Sequence, residues 1–203
     1  MHAVIFDIDG TLVHSAEVDD QLYRQSVSYI LGPVRFRPSL TDYEYVSDSG
    51  ILSQILEDND ISIDSDPTDS IKKHFVQALE GHILKNGPFI EIPGARNLLK
   101  SLRSSNDHTV AIATGGWRVT AELKLRSAGF DTSCIPIATS DAEYDRTRIM
   151  LTALSHLGTS FDSVTYYGDG PWDRDACNAL GWGFIPVGPK LGGLESFSVA
   201  SVT

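Results

Sequence analysis

Short runs of consecutive apolar residues alternate along most of the chain with segments in which apolar residues recur at helical spacing. Uninterrupted apolar runs of this length are typical of strands that are buried on both faces of a parallel sheet. Several of the helical segments end at a glycine, a common helix terminator. The predicted strands are residues 3–8, 109–113, 134–138, 163–167 and 183–187. The predicted helices between them are residues 95–103, 117–128, 147–157 and 171–180.

This alternation predicts an α/β fold with a doubly wound parallel sheet. One region breaks it, because residues 13–89 contain no buried strand. That region instead contains amphipathic runs with polar breaks between them, which indicates an inserted helical subdomain. The amphipathic runs are residues 17–31, 49–57 and 68–84. The predicted domains are an α/β core of residues 1–13 plus 90–203 and a helical subdomain of residues 14–89.

Composition narrows the possible partners and compartment. The 203 residues carry a formal net charge of -11, which disfavours nonspecific binding to nucleic acid or to anionic membranes. The two cysteines, Cys134 and Cys177, lie among apolar or small residues and are expected to be buried free thiols. Asp7 interrupts the N-terminal apolar run, so we expect no signal peptide, and no apolar run is long enough to span a bilayer. We therefore expect a cytoplasmic protein. We also expect a monomer, because no heptad pattern or exposed apolar stripe is present.

Polar groups capable of chemistry follow three of the predicted strands. In an open parallel sheet, ligands bind outside the carboxyl ends of the strands, so these groups are expected to meet. A cluster of carboxylates needs a counter-charge, and hard oxygen ligands suit Mg²⁺. The three strand ends are Asp7-Ile8-Asp9, Thr114-Gly115-Gly116 and Gly168-Asp169-Gly170, with Asp173 following on the next helix.

The first strand end carries two acids at positions i and i+2. In an extended chain Asp7 and Asp9 lie on the same side, so that one can attack while the other transfers a proton. Proximity moves their pKa values apart, which keeps one of them protonated. The alternative is a loop with two solvated acids. At the other ends, Asp169 is either a metal ligand or a helix cap, and Thr114 begins either an anion cradle or an ordinary turn.

In this order, the three sites resemble those of the haloacid dehalogenase superfamily of phosphatases and phosphotransferases. DIDGT at residues 7–11 is similar to the nucleophile loop of that family, and GDGPWD at residues 168–173 is similar to its metal loop. ATGG at residues 113–116 resembles the strand end that carries the phosphate-binding hydroxyl. The resemblance covers residues 1–13 and 90–188. It is closest to the subgroup of sugar-phosphate mutases and phosphoglycolate phosphatases, which implies a Rossmann-like core with a helical cap after the first strand.

The resemblance implies a role for each matching residue. Asp7 would be the nucleophile that forms an aspartyl-phosphate, and Asp9 would protonate the leaving oxygen and then activate water. Thr114 and Gly115 would bind the transferring phosphoryl group. Mg²⁺ would be held by Asp7, the backbone carbonyl of Asp9, Asp169 and Asp173.

One departure from the family concerns the positive charge at the site. The family usually places a lysine near the start of the helix before the last motif, whereas residues 140–150 read SDAEYDRTRIM. Arg146 is the best substitute and Arg148 the second, since arginine can bond phosphate through two nitrogens. The alternative is that both arginines are solvated charges on the first turn of their helix.

The stretch at residues 41–50, TDYEYVSDSG, resembles the cap loop that faces the catalytic pocket in that family. The residues that could contact the leaving group are Ser47, Asp48, Ser49 and Gly50. An equally good interpretation is that Ser47 or Ser49 caps the following helix.

These observations predict a Mg²⁺-dependent phosphatase that acts on a small phosphorylated metabolite. Two alternatives remain open. One is a phosphosugar mutase on the same scaffold, which would need a bisphosphate activator. The other is a noncatalytic phosphate-binding or regulatory protein that has kept the fold.

Overall fold

The computed structural model describes residues 1–62, 66–158 and 160–198, and it contains a five-stranded parallel sheet in the order β3-β2-β1-β4-β5. The strands are β1 His2–Phe6, β2 His108–Ala113, β3 Ile137–Ala138, β4 Ser163–Gly168 and β5 Gly183–Pro186. Because β1 pairs with both β2 and β4, the N-terminal strand lies at the centre of the sheet. The predicted α/β fold is confirmed. Residues 63–65 of the predicted helical subdomain and residues 159 and 199–203 of the predicted core lie outside the described residues.

Seven α-helices accompany the sheet within the described ranges. They are α1 Ala16–Leu31, α2 Asp48–Asp58, α3 Thr68–Asn86, α4 Ala95–Arg103, α5 Arg118–Ser127, α6 Arg146–Leu157 and α7 Pro171–Leu180. Alternate residues of β1 enter different cores: Val4 and Phe6 pack in one apolar cluster, and Ile5 packs in a second. The first cluster includes α4 and α5, and the second includes α6 and α7. The sheet is therefore covered on both faces, as its continuous apolar strands predict.

The predicted boundaries differ from the observed ones in three informative places. β1 ends at Phe6 rather than at residue 8, because the Ile8 carbonyl accepts backbone bonds from residues 11, 12 and 13 and the chain closes into a loop. β3 has only two residues, and Cys134 before it has φ +66° and is exposed rather than buried. α5 begins at Arg118 rather than at residue 117, and Val119 is exposed because the buried residues of the helix are Thr120, Ala121, Leu123, Lys124 and Leu125.

The segment between β1 and α4 contains helices α1, α2 and α3 and no named strand among its described residues. It leaves the sheet after Val13, which forms an isolated antiparallel bridge with Glu91 on the returning chain. The chain therefore leaves the core and returns to it at adjacent positions, close to the loop that carries Asp7. Among the described residues, no helix has the length and apolar character needed to cross a membrane.

Candidate active site

Asp7 is the first residue after the central strand. Its backbone N–H donates to the carbonyl of Tyr167 at 2.9 Å, which continues the sheet pairing by one residue. The side chain is 4% exposed and is directed to the carboxyl edge of the sheet, where Thr114 after β2 and Asp169 after β4 also line the same cavity. The predicted meeting of the strand ends is therefore observed.

Three carboxylates converge at this edge. One oxygen each from Asp7, Asp169 and Asp173 lies within 4.8 Å of the others, and all three residues are buried. The packing requires glycine at position 10, where φ is +81° and a Cβ would lie 2.3 Å from Oδ2 of Asp169. Oδ1 of Asp173 is buried and has no hydrogen-bond partner. A compact set of hard oxygen donors with an unsatisfied buried atom fits a small divalent cation.

Asp169 does not cap the helix that follows it. The N-cap of α7 is Gly170, whose N–H donates to Oδ2 of Asp173 at 3.2 Å. The Asp169 side chain is instead bonded by Nζ of Lys190, at 2.7 Å from Oδ2. It is therefore free of any capping role and lies beside Asp7.

Arg146 supplies positive charge to the cluster from the first position of α6. Its Nη1 lies 3.4 Å from Oδ1 of Asp7, and its Nε lies 3.5 Å from Oδ1 of Asp173. Its Nη2 donates to the carbonyl of Val46 at 3.2 Å. Arg148 is 69% exposed and is directed away to Glu143. The structure thus places the first of the two predicted arginines in the site and the second on the surface.

Burial sets the electrostatics of the acids. It is the largest cause that raises the pKa of Asp7 well above its usual range; the Asp173 carboxylate adds to this rise and Arg146 opposes it. Burial also raises the pKa of Asp173 to about 6, again against Arg146. The pKa of Asp169 is raised by burial, and the hydrogen bond from Lys190 opposes that rise. The cluster therefore lacks sufficient positive charge from the described residues, which favours the binding of a cation.

Asp9 lies beside this cluster but its carboxylate is engaged elsewhere. Nζ of Lys124 lies 2.7 Å from its Oδ1 and 2.6 Å from its Oδ2, and the Ser15 hydroxyl donates to Oδ1 at 2.6 Å. The same ammonium lies 2.5 Å from Oδ1 of Asp19 on α1. Asp9 still lines the cavity, with 18% of its side chain exposed. Its orientation is therefore set by residues behind it.

Thr114 and Gly115 occupy the turn between β2 and α5. Thr114 is 1% exposed and its hydroxyl accepts from the N–H of Gly116 at 3.2 Å, inside the cavity lining. A Cβ at Gly115 would lie 2.8 Å from Nη2 of Arg146 and 2.9 Å from the carbonyl of Val46. Glycine at this position therefore lets the arginine and the loop before α2 approach the turn.

The loop before α2 is docked onto the turn between β2 and α5. The Asp48 N–H donates to the carbonyl of Gly115 at 2.8 Å, and its Oδ2 accepts from the N–H of Trp117 at 2.8 Å. Ser47 is the N-cap of α2, accepting from the Gly50 N–H at 3.2 Å, and its hydroxyl donates to the carbonyl of Tyr144. Ser49 accepts from the indole of Trp117 at 2.7 Å. Ser47 and Asp48 line the cavity, whereas Ser49 and Gly50 lie outside its lining.

A cavity of about 720 Å³ covers these groups. The motifs do not include four charged residues that line it, Glu17, Asp19, Asp20 and Lys190, or Lys124, which lies behind Asp9. A signal for Lys124 was present, because it falls on the same helical face as Ala121, Leu125 and Ala128, where a lysine must be buried. Lys190 and Asp19 lie on exposed-looking polar segments and offer no comparable signal.

Comparisons with known proteins agree with this architecture. Residues 1–181 match the model of the haloacid dehalogenase-like hydrolase family. A hydrolase from Pseudomonas syringae is 24% identical with a TM-score of 0.71, covering 92% of this chain and 84% of its own. CbbY from Rhodobacter sphaeroides, solved with phosphate, is 18% identical with a TM-score of 0.70, covering 96% and 87%. A beta-phosphoglucomutase from Clostridium difficile is 19% identical with a TM-score of 0.69, covering 99% and 92%. No curated protein sequence matches the chain.

Proposed function

Because the chain belongs to the haloacid dehalogenase-like hydrolase family, we propose that it is a Mg²⁺-dependent phosphatase that hydrolyses a small phosphorylated metabolite. The observation that carries this proposal is the buried trio of Asp7, Asp169 and Asp173 beside Arg146. A phosphoryl group is anionic, so it needs a cation between itself and an anionic nucleophile. The trio supplies the ligands for that cation, and the cavity supplies room for the rest of the substrate.

The residues take the following roles in this proposal. Asp7 attacks phosphorus and becomes the aspartyl-phosphate, while Thr114 and the guanidinium of Arg146 bond the phosphoryl oxygens. Asp9 gives a proton to the leaving oxygen and then takes one from the attacking water. Mg²⁺ would supply the positive charge that offsets the negative charge of the nucleophile and of the phosphoryl group. Asp7, Asp169, Asp173 and the Asp9 carbonyl would hold it.

The helical segment of residues 14–89 acts as the cap in this proposal. Its loop before α2 closes one side of the cavity through Asp48 and Ser47, which limits access of water to the phosphoryl group. The cap and the core domain, residues 1–13 plus 90–203, would then move relative to each other during turnover. We place the enzyme in the cytoplasm as a monomer, a compartment that agrees with the free thiols of Cys134 and Cys177.

The charged residues that the cap contributes to the cavity lining argue against the mutase alternative. An enzyme that binds a sugar bisphosphate must hold a second phosphate away from Asp7. Leaving aside residues 63–65, which the structure does not describe, the cap residues that line the cavity include no lysine or arginine. They do include four acids: Glu17, Asp19, Asp20 and Asp48. A second phosphate would find no cationic side chain among these residues to bind it, so we expect a substrate with one phosphate.

The first prediction tests the reaction itself. Inorganic phosphate should be released from 4-nitrophenyl phosphate in the presence of Mg²⁺, and chelation should reduce the rate to background. A panel of phosphorylated metabolites should then show higher kcat/KM for monophosphates than for bisphosphates of the same sugar. A bisphosphate requirement, or faster transfer of phosphate to a sugar than to water, would instead support the mutase. Phosphate binding without turnover on any substrate would support the noncatalytic alternative.

The second prediction concerns metal binding and pH. Folded Asp173 has a pKa of about 6, above its unfolded value of about 3.9, so the folded state binds more protons in that window. Without metal, this group's contribution therefore lowers the free energy of unfolding as pH rises from about 4 to about 6. Mg²⁺ binds the ionised carboxylates, so it must displace protons at low pH. We expect Mg²⁺ to raise Tm more at pH 8 than at pH 5.

The size of this effect follows from ligand binding to the folded state. At 100 times Kd the stabilisation is about 2.7 kcal/mol, which corresponds to about 5–10 °C for a chain of this size. Thermal unfolding with Mg²⁺ or with chelator measures it. Asp169→Asn should abolish the shift, and Asp175→Asn, an exposed acid on α7, should retain it. An equal Mg²⁺ shift in Asp169→Asn would show that the metal binds elsewhere.

A further inference from the structure

Lys124 is a lysine with no exposed surface, and it belongs to none of the motifs that define the site. It lies on the buried face of α5, and its side chain is 0% exposed. A lysine is rarely buried completely unless its charge is paired. Here the ammonium is paired twice, with Asp9 of the loop after β1 and with Asp19 of α1.

The ammonium bridges two carboxylates. A lysine has three N–H groups, and Lys124 Nζ lies 2.6 and 2.7 Å from the two oxygens of Asp9 and 2.5 Å from Oδ1 of Asp19. With the bond from Ser15, the Asp9 carboxylate accepts three hydrogen bonds, two of them from the buried ammonium. Its side-chain torsions are therefore restrained by Lys124 more than by any other residue that contacts it.

The position of Lys124 excludes a direct role with substrate. Asp9 lines the cavity, whereas Lys124 does not, so the ammonium lies behind the carboxylate as seen from the substrate. What the ammonium adds is a fixed direction for the carboxylate of Asp9, and a connection from that carboxylate to the cap helix through Asp19.

We propose that Lys124 is the positioning residue for Asp9, and that it aligns the Asp9 carboxylate with the leaving oxygen while it joins cap helix α1 to the same ammonium. This inference rests on the proposed function, in which Asp9 transfers the proton. A misaligned Asp9 still leaves the nucleophile and the metal ligands in place. Loss of Lys124 should therefore slow only the proton-transfer step. The decrease in rate should be larger for a leaving group that needs a proton than for one that does not.

The experiment compares two substrates of similar shape in wild type and in Lys124→Met. Phenyl phosphate has a basic leaving group that needs protonation, whereas 4-nitrophenyl phosphate has a leaving group that is stable as an anion. General acid catalysis contributes about 10²–10⁴-fold. We expect kcat/KM to fall by about 10²-fold or more for phenyl phosphate and by less than about tenfold for 4-nitrophenyl phosphate. The parameter kcat/KM reports the steps up to phosphoryl transfer onto Asp7, so hydrolysis of the aspartyl-phosphate does not mask the difference.

Controls separate positioning from folding. Arg126→Met removes an exposed cation from the same helix and should leave both substrates unchanged. Asp9→Asn should show the same selective loss, and adding Lys124→Met to it should change little further. If Lys124→Met does not fold, Lys124→Met/Asp19→Asn keeps the net charge of the buried group and should show the same selectivity.

An equal loss on both substrates, or no loss on either, would overturn the positioning role while the phosphatase function stands. Failure of the proposed function has a different signature, because wild type would then release no phosphate from either compound.

Discussion

Asp7→Asn is expected to abolish phosphatase activity and at the same time to raise Tm in the absence of metal. Asparagine has nearly the same shape but cannot form the aspartyl-phosphate, so turnover should fall by on the order of 10⁴-fold or more. The gain in stability follows from the electrostatics. Burial and the Asp173 carboxylate raise the pKa of Asp7 well above its usual range, so keeping this group ionised at neutral pH costs folding free energy.

The substitution removes that cost. A gain of about 1 kcal/mol would raise Tm by about 2–4 °C in a chain of this size. Steady-state phosphate release and thermal unfolding with chelator measure the two effects on the same sample. Asp162→Asn is the matched control, because this acid is exposed and lies outside the cavity lining. Activity that persists in Asp7→Asn would exclude Asp7 as the nucleophile, whatever the change in Tm.

The position of Asp7 could be predicted because buried parallel strands leave a strong pattern. A continuous apolar run fixes the strand, and the carboxyl ends of neighbouring strands share one edge. Asp7, Thr114 and Asp169 therefore had to meet once three such runs were recognised. The observed carboxyl ends of the strands differ from the predicted ends by at most two residues. The first strand, for example, ends at Phe6, where the loop around the Ile8 carbonyl begins.

The choice between Arg146 and Arg148 needed the structure. Both lie on the first turn of α6. Positions i and i+2 of an α-helix point about 200° apart, so only one of the two arginines can face the sheet edge. The structure begins α6 at Arg146, with Asp145 as the N-cap accepting from the Thr147 N–H at 2.7 Å. Arg146 shares a helical face with the buried residues Ile149, Met150 and Ala153, and is therefore directed inward.

The burial of Lys124 could be read from the helical face that it shares with Ala121 and Leu125, but its partners could not. A lysine on a helix is usually solvated, and its pairing with Asp9 and Asp19 depends on how the cap packs on the core. Long-range contacts of this kind leave no local pattern. The contacts of Asp48 with Gly115 and Trp117 are of the same type, since they join segments far apart in the chain.

Arg146→Ala is expected to reduce both activity and stability, in contrast to Asp7→Asn. The guanidinium lies between Asp7 and Asp173 and is 10% exposed, so its removal leaves two buried carboxylates without their shared counter-charge. Removing one partner from a buried ion pair costs about 3–5 kcal/mol. Loss of a phosphoryl-binding donor costs about 10²–10³-fold in rate. Both effects should be visible in kcat/KM and in thermal unfolding.

Arg146→Lys separates charge from shape. Lysine keeps the positive charge, but its single ammonium cannot lie near the Val46 carbonyl and both acids at once, as the three nitrogens of arginine do. We therefore expect Arg146→Lys to retain activity within about tenfold of wild type and to lose less stability than Arg146→Ala. Arg148→Ala, two residues along the same helix and 69% exposed, is the control and should match wild type in both measurements. If Arg146→Ala also matched wild type, Arg146 would not balance the buried acids, and the metal and Thr114 would have to hold the phosphoryl group without it.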